Sequence, residues 1–124
     1  MRQFLLISLG AVLGANARYW MQAWAVERWG ASFPFGTLAI NLIGSFLIGL
    51  FVTLASDRLL LDPLWRIFFI IGFLGSFTTF STYTYESVLL LMQGEWLSGM
   101  FNLFGSALLG LLAVLGGVIV AKIL

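Results

Sequence analysis

Polar side chains recur at helical spacing inside the most apolar parts of this 124-residue sequence. Thr37, Asn41 and Ser45 lie four residues apart, so a helix would place them along one face. A serine or threonine alone commonly bonds back to its own helix, whereas an asparagine amide needs a partner elsewhere. Two further stripes have the same character: Ser98, Asn102 and Ser106, and then Thr78 or Thr79, Thr82 and Glu86. Three stripes of hydroxyl and amide groups favour a path for a small anion over simple contacts between helices.

Aromatic rings accompany the third stripe. Phe77, Phe80 and Tyr83 follow at i, i+3 and i+6, which on a continuous helix would put their rings on roughly one side. The edge of an aromatic ring is positive, so rings presented edge-on stabilise an anion that has shed water. The same spacing is also typical of rings that pack in a protein core, and spacing alone favours that interpretation. The residues by themselves therefore predict no more than a small-anion path.

The composition indicates that a lipid bilayer surrounds these groups. Apolar residues make up 61% of the chain and charged residues 9%, against roughly 25% charged residues in soluble proteins. The chain has no Cys and no His, which excludes thiol nucleophiles, histidine bases and Cys/His metal sites. A net charge of +1 argues against nucleic acid as a partner. We therefore expect an all-α integral membrane protein that is not an enzyme.

The uncharged runs predict four transmembrane helices, because a span needs about 20 mostly apolar residues. Their expected bounds are residues 3–26, 35–55, 66–92 and 97–122, within a single domain of residues 1–124. The third span contains Gly72, Gly75 and a run of hydroxyl side chains, so we predict that its helix is broken near the membrane midplane. Backbone irregularity at that depth persists only where it is buried in protein or lines a water-filled cavity.

Two ionisable residues fall inside the predicted spans. Arg18 would lie near an interface, and both a structural role and a place in a vestibule are consistent with that position. Glu86 follows the break in the third span by little more than one turn. An ionised carboxylate there would repel anions, so we expect it to be protonated, hydrogen-bonded to the Ser/Thr stripe, or placed at a water-filled mouth.

The basic residues outside the spans leave the orientation of the chain open. The positive-inside rule would place both termini in the cytoplasm, but the bias is small enough to permit insertion in both orientations. Arg2, Arg58, Arg66 and Lys122 fall on one side, against Arg28 and, in part, Arg18 on the other.

The size of the chain favours more than one copy in the functional unit. Gly10 and Gly14 have the spacing that lets helix backbones approach closely, either within one chain or between two chains. For any single glycine pair, packing within the chain is the favoured interpretation. Four short helices nevertheless enclose little interior for three polar stripes, so we expect a homodimer.

Three blocks of sequence resemble the Fluc (CrcB) family of fluoride channels. They are Gly-Ala-Asn-Ala-Arg-Tyr at 14–19, Gly-Thr-Leu-Ala-Ile-Asn-Leu-Ile-Gly-Ser-Phe at 36–46, and Gly-Phe-Leu-Gly-Ser-Phe-Thr-Thr-Phe-Ser-Thr-Tyr at 72–83. The resemblance covers all four spans in order. It implies an antiparallel, dual-topology homodimer in the cell (inner) membrane, with two pores that passively export fluoride and lower its cytoplasmic concentration.

The resemblance also implies roles for individual residues. Asn41, Phe80 and Tyr83 would line the fluoride pore, and backbone carbonyls of Gly75 and Thr78 would bind a structural Na⁺ that is not transported. The family usually has Phe where this chain has Tyr83, whose hydroxyl would either donate to fluoride or narrow the pore. The polar track implied by the resemblance contains Thr37, Ser45, Thr79, Ser81, Thr82, Glu86, Asn102 and Ser106.

Two other classes of membrane protein compete with this interpretation. A small dual-topology multidrug or cation exporter needs a membrane-embedded carboxylate, typically in its first span, where this chain has only Arg18. An assembly factor that transports nothing would leave the three polar stripes unexplained. Fluoride efflux from reconstituted protein separates the channel from both alternatives.

Overall fold

The computed structural model describes residues 1–57 and 62–124, and their regular secondary structure is helical. Four helices are each long and apolar enough to cross a membrane, which confirms the predicted number of spans. Arg58, which contributes to the predicted charge bias, lies outside the described residues. The helices are α1 (Arg2–Trp29), α2 (Phe35–Ser56), α3 (Pro63–Met92) and α4 (Trp96–Ile123).

Glycine and proline residues mark the ends of the helices. Gly30 follows α1 with φ 78° and Gly94 follows α3 with φ 81°, a left-handed conformation that glycine adopts without steric cost. α3 begins with Pro63, and the side chain of Asp62 accepts a hydrogen bond of 2.7 Å from the Leu64 amide. These short connections leave almost the whole described chain in the four helices.

α3 is bent in the middle of its length. Its first half, residues 63–77, is helical, with π-helical geometry over Ile67–Leu74. Thr78 and Thr79 are extended, with ψ values of 155° and 122°, and the helix resumes at Phe80–Met92. The side chain of Thr79 caps this second half by accepting a hydrogen bond of 3.3 Å from the Thr82 amide. The predicted interruption of the third span is therefore confirmed as a bend.

The bend lets the two halves of α3 pack on different helices. The first half lies against α1, whereas the second half lies against the beginning of α4. α2 has its most extensive contact with α4 and also packs on α1. A straight α3 could not follow both neighbours, so the bend is part of how the four helices assemble.

Glycines bring these helix pairs into backbone contact. Gly10 and Gly14 face the first half of α3, where a Cβ at Gly10 would lie 2.9 Å from the Phe73 nitrogen. Gly49 and Gly117 act in the same way between α2 and α4, because a Cβ at either position would overlap the facing backbone. The Gly10–Gly14 pair thus serves packing within one chain, which is the interpretation favoured for a single pair.

Exposure is inverted relative to a soluble protein. Large apolar side chains such as Leu97 and Ile123 are exposed along the outside of the helices. The side chains that are almost completely buried include Ser87 and Asn102 together with Ile40 and Leu74. Apolar groups therefore face the surroundings while polar groups meet inside, as a bilayer environment requires.

Candidate functional site

Asn41 binds directly to the bend in α3. Its Nδ2 donates to the Thr79 carbonyl at 2.9 Å, and the Thr79 amide donates back to its Oδ1 at 2.9 Å. In a continuous helix the Thr79 amide would instead donate to the carbonyl of Gly75. The asparagine therefore pairs the Thr79 amide that the bend removes from the helix and also bonds to the Thr79 carbonyl, and this contact is the partner that its own amide needs.

A cavity of about 520 Å³ opens beside the bend, and we call it the bend cavity. Residues from α2, α3 and α4 line it, so one space collects groups from all three predicted polar stripes. Hydroxyl, amide and aromatic groups face it alongside aliphatic side chains. The predicted site residues among its lining are Asn41, Ser45, Gly75, Thr78, Thr79, Phe80, Tyr83 and Ser106.

The three aromatic residues of the third stripe do not share one side. Phe80 is 77% exposed, and its ring centroid lies 5.8 Å from that of Tyr83. Phe77 is only 3% exposed and stacks on Phe73 at 5.6 Å. Phe77 therefore packs in the core, which is the interpretation that spacing favoured, and the alternative of three aligned rings is wrong for it. The extended residues Thr78 and Thr79 interrupt the helical rotation between Phe77 and Phe80. Only Phe80 and Tyr83 line the bend cavity.

The Tyr83 hydroxyl contacts protein. It donates to the carbonyl of Leu103, which lies in the π-helical stretch Phe101–Gly105 of α4. Its single proton is therefore directed at the α4 backbone, and its ring is held at the side of the cavity.

A second hydrogen-bonded group joins the same two helices. The Ser87 hydroxyl donates to the Tyr83 carbonyl at 2.8 Å and accepts from Asn102 Nδ2 at 2.9 Å. Ser106 donates to Asn102 Oδ1 at 3.3 Å, so Asn102 connects Ser87 with the lining of the bend cavity. Asn102 itself is buried and lines neither cavity, which gives it a supporting position behind the path.

A larger cavity of about 810 Å³ lies along α1, the beginning of α2 and the second half of α3, and we call it the Glu86 cavity. Gln22, Thr37, Thr82 and Glu86 supply polar groups to its lining. Gln22 Nε2 donates to the Thr37 hydroxyl at 3.1 Å, and that hydroxyl donates to Glu86 Oε1 at 2.9 Å. Glu86 Oε2 is buried and has no hydrogen-bond partner among the described residues.

One pair of hydroxyls links the two cavities. The Thr79 hydroxyl donates to the Thr82 hydroxyl at 3.0 Å. Thr79 lines the bend cavity and Thr82 lines the Glu86 cavity. Polar groups therefore follow one another from Ser106 and Asn41, through these two threonines, to Glu86.

Three predicted site residues line neither cavity, namely Ser81, Arg18 and the Asn102 described above, and two contributors were not predicted. Ser81 is exposed and its carbonyl accepts a bond of 3.0 Å from Thr84, while Arg18 is half-buried on α1. Gln22 and Ser87 were missed. A signal for Gln22 was available, because it is an amide four residues after Arg18 in the first span. Ser87 falls outside the i, i+4 stripe, so spacing alone could not have identified it.

The backbone at the bend offers carbonyl oxygens, which are the kind of ligand that a hard cation prefers. The Thr79 amide is directed to Asn41, and the Thr82 amide is directed to the Thr79 hydroxyl. The carbonyls of Gly75 and Thr78 thereby lose the amides that a continuous helix would offer them. Among residues 1–57 and 62–124, no group of three His, Cys, Asp or Glu side chains could hold a metal. Backbone carbonyl oxygens are suitable ligands for Na⁺, so these two residues fit such an ion.

The four membrane-spanning helices, with two cavities between them, define a multi-pass membrane protein. The chain matches the family described as CrcB-like protein, Camphor Resistance (CrcB), over residues 5–118, and it belongs to this family.

Curated relatives of the chain cover nearly all of it. A protein from Koribacter versatilis (strain Ellin345) is 46% identical over 93% of this chain and 91% of its own length. One from Chloroflexus aurantiacus (strain ATCC 29366 / DSM 635 / J-10-fl) is 48% identical over 95% of this chain and 94% of its own length. One from Sulfurihydrogenibium sp. (strain YO3AOP1) is 36% identical over the full length of both. All three are named fluoride-specific ion channel FluC.

Proposed function

We propose that this chain is a fluoride-selective ion channel that passively exports fluoride and lowers its concentration in the cytoplasm. The observation that supports this most directly is the bond between the Thr79 and Thr82 hydroxyls, which joins the linings of two cavities. The names of relatives at 46% and 48% identity support the choice of fluoride as the ion.

The chemistry of the path suits a small, strongly hydrated anion. Fluoride leaves water only if donors and ring edges replace its hydration shell without holding it too tightly. Asn41 and the threonines supply polar groups, and Phe80 and Tyr83 supply rings 5.8 Å apart. The positive edges of such rings attract an anion without the strength of a full positive charge. Weak, successive contacts of this kind permit both entry and exit.

The proposed unit is an antiparallel, dual-topology homodimer in the inner membrane. Phe80 supports it, because this ring lines the bend cavity yet is 77% exposed on the single chain. A second copy would cover that open side and complete the pore. The carbonyls of Gly75 and Thr78 from both copies would bind a structural Na⁺ that is not transported. Because the ion would be shared by the two copies, it would hold their bends together.

Efflux from liposomes tests the channel directly. Purified protein is reconstituted in vesicles loaded with fluoride, and external fluoride is followed with an ion-selective electrode, with chloride-loaded vesicles as the control. We expect rapid loss of fluoride and no comparable loss of chloride. Absence of fluoride efflux from folded, dimeric protein would exclude the proposed function.

The same vesicles test the sodium site. Replacement of Na⁺ by another monovalent cation on both sides of the membrane should slow fluoride efflux, because the carbonyls of Gly75 and Thr78 lose their ion. Uptake of ²²Na⁺ should stay at the level of empty vesicles. Sodium flux through the protein would contradict a structural role for the ion.

The competing cation exporter makes the opposite prediction in this assay. Among the described residues, the carboxyl group lining either cavity belongs to Glu86 on α3, and the first span contributes none. A proton-coupled exporter would move a lipophilic cation when a pH gradient is imposed and would show no fluoride efflux. We expect fluoride efflux without any imposed gradient of protons.

A further inference from the structure

Gln22, which lies outside the predicted stripes, keeps one hydrogen-bond donor that the bonds between Gln22, Thr37 and Glu86 do not use. The Thr37 hydroxyl has one proton and gives it to Glu86 Oε1 at 2.9 Å. Thr37 is also only 2% exposed, so it has no donor left for an ion in the cavity. Gln22 Nε2 has two N–H groups and uses one of them on Thr37 at 3.1 Å. Among the described residues, Thr37 is the hydrogen-bond partner of the Gln22 side chain.

The remaining N–H of Gln22 belongs to a side chain that lines the Glu86 cavity. Its neighbours there include Thr82, through which the polar path continues to Thr79 and the bend cavity. The amide therefore has a donor left over inside the Glu86 cavity, whose lining also contains Thr82, the residue that leads to the bend.

Close packing holds Gln22 in this place. The absence of a side chain at Gly36 lets the first turn of α2 approach α1, because a Cβ there would lie 3.1 Å from Gln22 Cα and 3.3 Å from its Cγ. Thr37, the next residue, then comes within hydrogen-bonding distance of the Gln22 amide. Arg18 lies four residues before Gln22, on the same face of α1, and its positive charge favours an anion on this side of the helix.

We propose that Gln22 is an anion-binding residue of the Glu86 cavity, whose second amide N–H donates to fluoride before the ion passes Thr82. This inference rests on the proposed function as a fluoride channel. Thr37 has a different role in this arrangement, because it orients the Gln22 amide and donates its proton to Glu86 without touching the ion.

Fluoride efflux measured over a series of fluoride concentrations tests this assignment. Gln22→Met keeps the length of the side chain and removes the amide, so the half-saturating fluoride concentration should rise by about tenfold, as for one lost hydrogen bond to an ion. Gln22→Glu keeps the shape but replaces the donors by a carboxylate, and should raise that concentration further. Gln3→Met is the matched control, because Gln3 is exposed near the start of α1 and lines neither cavity.

Thr37→Ala separates donation from positioning. It removes the hydroxyl and leaves both N–H groups of Gln22, so the half-saturating concentration should shift less than in Gln22→Met. Monodisperse elution and thermal unfolding establish that each variant is folded, and Gln22→Glu provides the test if the Met variant does not fold. An unchanged concentration in folded Gln22 variants, or an equal shift in Thr37→Ala, overturns the inference alone. A wild-type protein without fluoride efflux overturns the proposed function and the inference with it.

Discussion

Asn41 bonds to both backbone groups of one residue, the amide and the carbonyl of Thr79. Each unpaired peptide group in the hydrocarbon region of a bilayer costs several kcal/mol, so this single side chain makes an extended residue tolerable there. Phe80 follows Thr79 directly, so the orientation of its ring depends on how Asn41 holds the backbone before it. At the scale of single residues, the polar side chain positions the aromatic one.

Phe80→Ile tests the ring in this arrangement. The substitution removes the ring edge and keeps an apolar side chain, so fluoride efflux should fall by at least about tenfold, the equivalent of about 1.4 kcal/mol of lost stabilisation. Because Phe80 is 77% exposed on the single chain, its replacement leaves the core of the subunit intact.

Phe4→Ile is the matched control for this substitution. Phe4 is 69% exposed on α1 and lines neither cavity. Efflux from this variant should equal that of the wild type, and size-exclusion chromatography should show the same oligomer for both variants. Unchanged efflux in Phe80→Ile would remove the ring edge from the mechanism.

The residues of the path were predictable to different degrees. Asn41 could be identified because an amide at membrane depth demands a partner, and the partner lies at the interruption that Gly72, Gly75 and the hydroxyl run predict. Spacing favoured a core position for Phe77, but it could not show that Phe80 and Tyr83 face the cavity instead, since that difference depends on the backbone angles of Thr78 and Thr79. A hydrogen bond from the Ser/Thr stripe to Glu86 was one of the expected arrangements, but the choice of Thr37 depends on contacts between helices that no local pattern encodes.

At the scale of helices, the bend in α3 is shaped by its contact with α2 as well as by its own sequence. The Thr78 hydroxyl donates to the Leu74 carbonyl at 2.9 Å, which closes the end of the first half. The methyl group of Thr78 faces Gly44, where an added Cβ would overlap it. The small residue on α2 therefore leaves the space that the extended backbone of α3 needs.

A pair of substitutions tests this contact. Gly44→Ala should destabilise the protein by about 1–3 kcal/mol, the usual cost of overpacking, and should reduce fluoride efflux. Adding Thr78→Ser removes the methyl group, keeps the hydroxyl bond to Leu74, and should restore most of both properties. Thermal unfolding and efflux of the two single variants and the double variant measure the coupling. Additive effects in the double variant would contradict direct contact between these two residues.

At the scale of the whole molecule, the exposed apolar surface and the weak charge bias are consistent with two orientations in one membrane. Among the described basic residues near the helix ends, three fall on one side of the membrane (Arg2, Arg66 and Lys122) and Arg28 falls on the other. The positive-inside rule acts on such differences, and a difference of this size gives the insertion machinery little to distinguish. Equal insertion would supply both partners of an antiparallel pair from one gene product.

Single-cysteine labelling tests dual insertion, because the chain has no native cysteine. Ser32 is exposed in the connection between α1 and α2, so a Ser32→Cys variant presents its thiol on one side of the membrane in each orientation. A membrane-impermeant maleimide should label roughly half of the protein in intact cells and all of it after permeabilisation. Labelling of all or none in intact cells would establish a single orientation and exclude the antiparallel pair.

The bond between Asn41 and Thr79 also sets a requirement for biosynthesis. The two residues are 38 positions apart in the chain. A ribosome that adds about 5–20 residues per second produces Thr79 roughly 2–8 s after Asn41. α2 can thus already be in the membrane when the bend enters it, and the Thr79 amide finds the Asn41 side chain in place. A chain permuted so that α3 preceded α2 would expose the bend to lipid before its partner had been made.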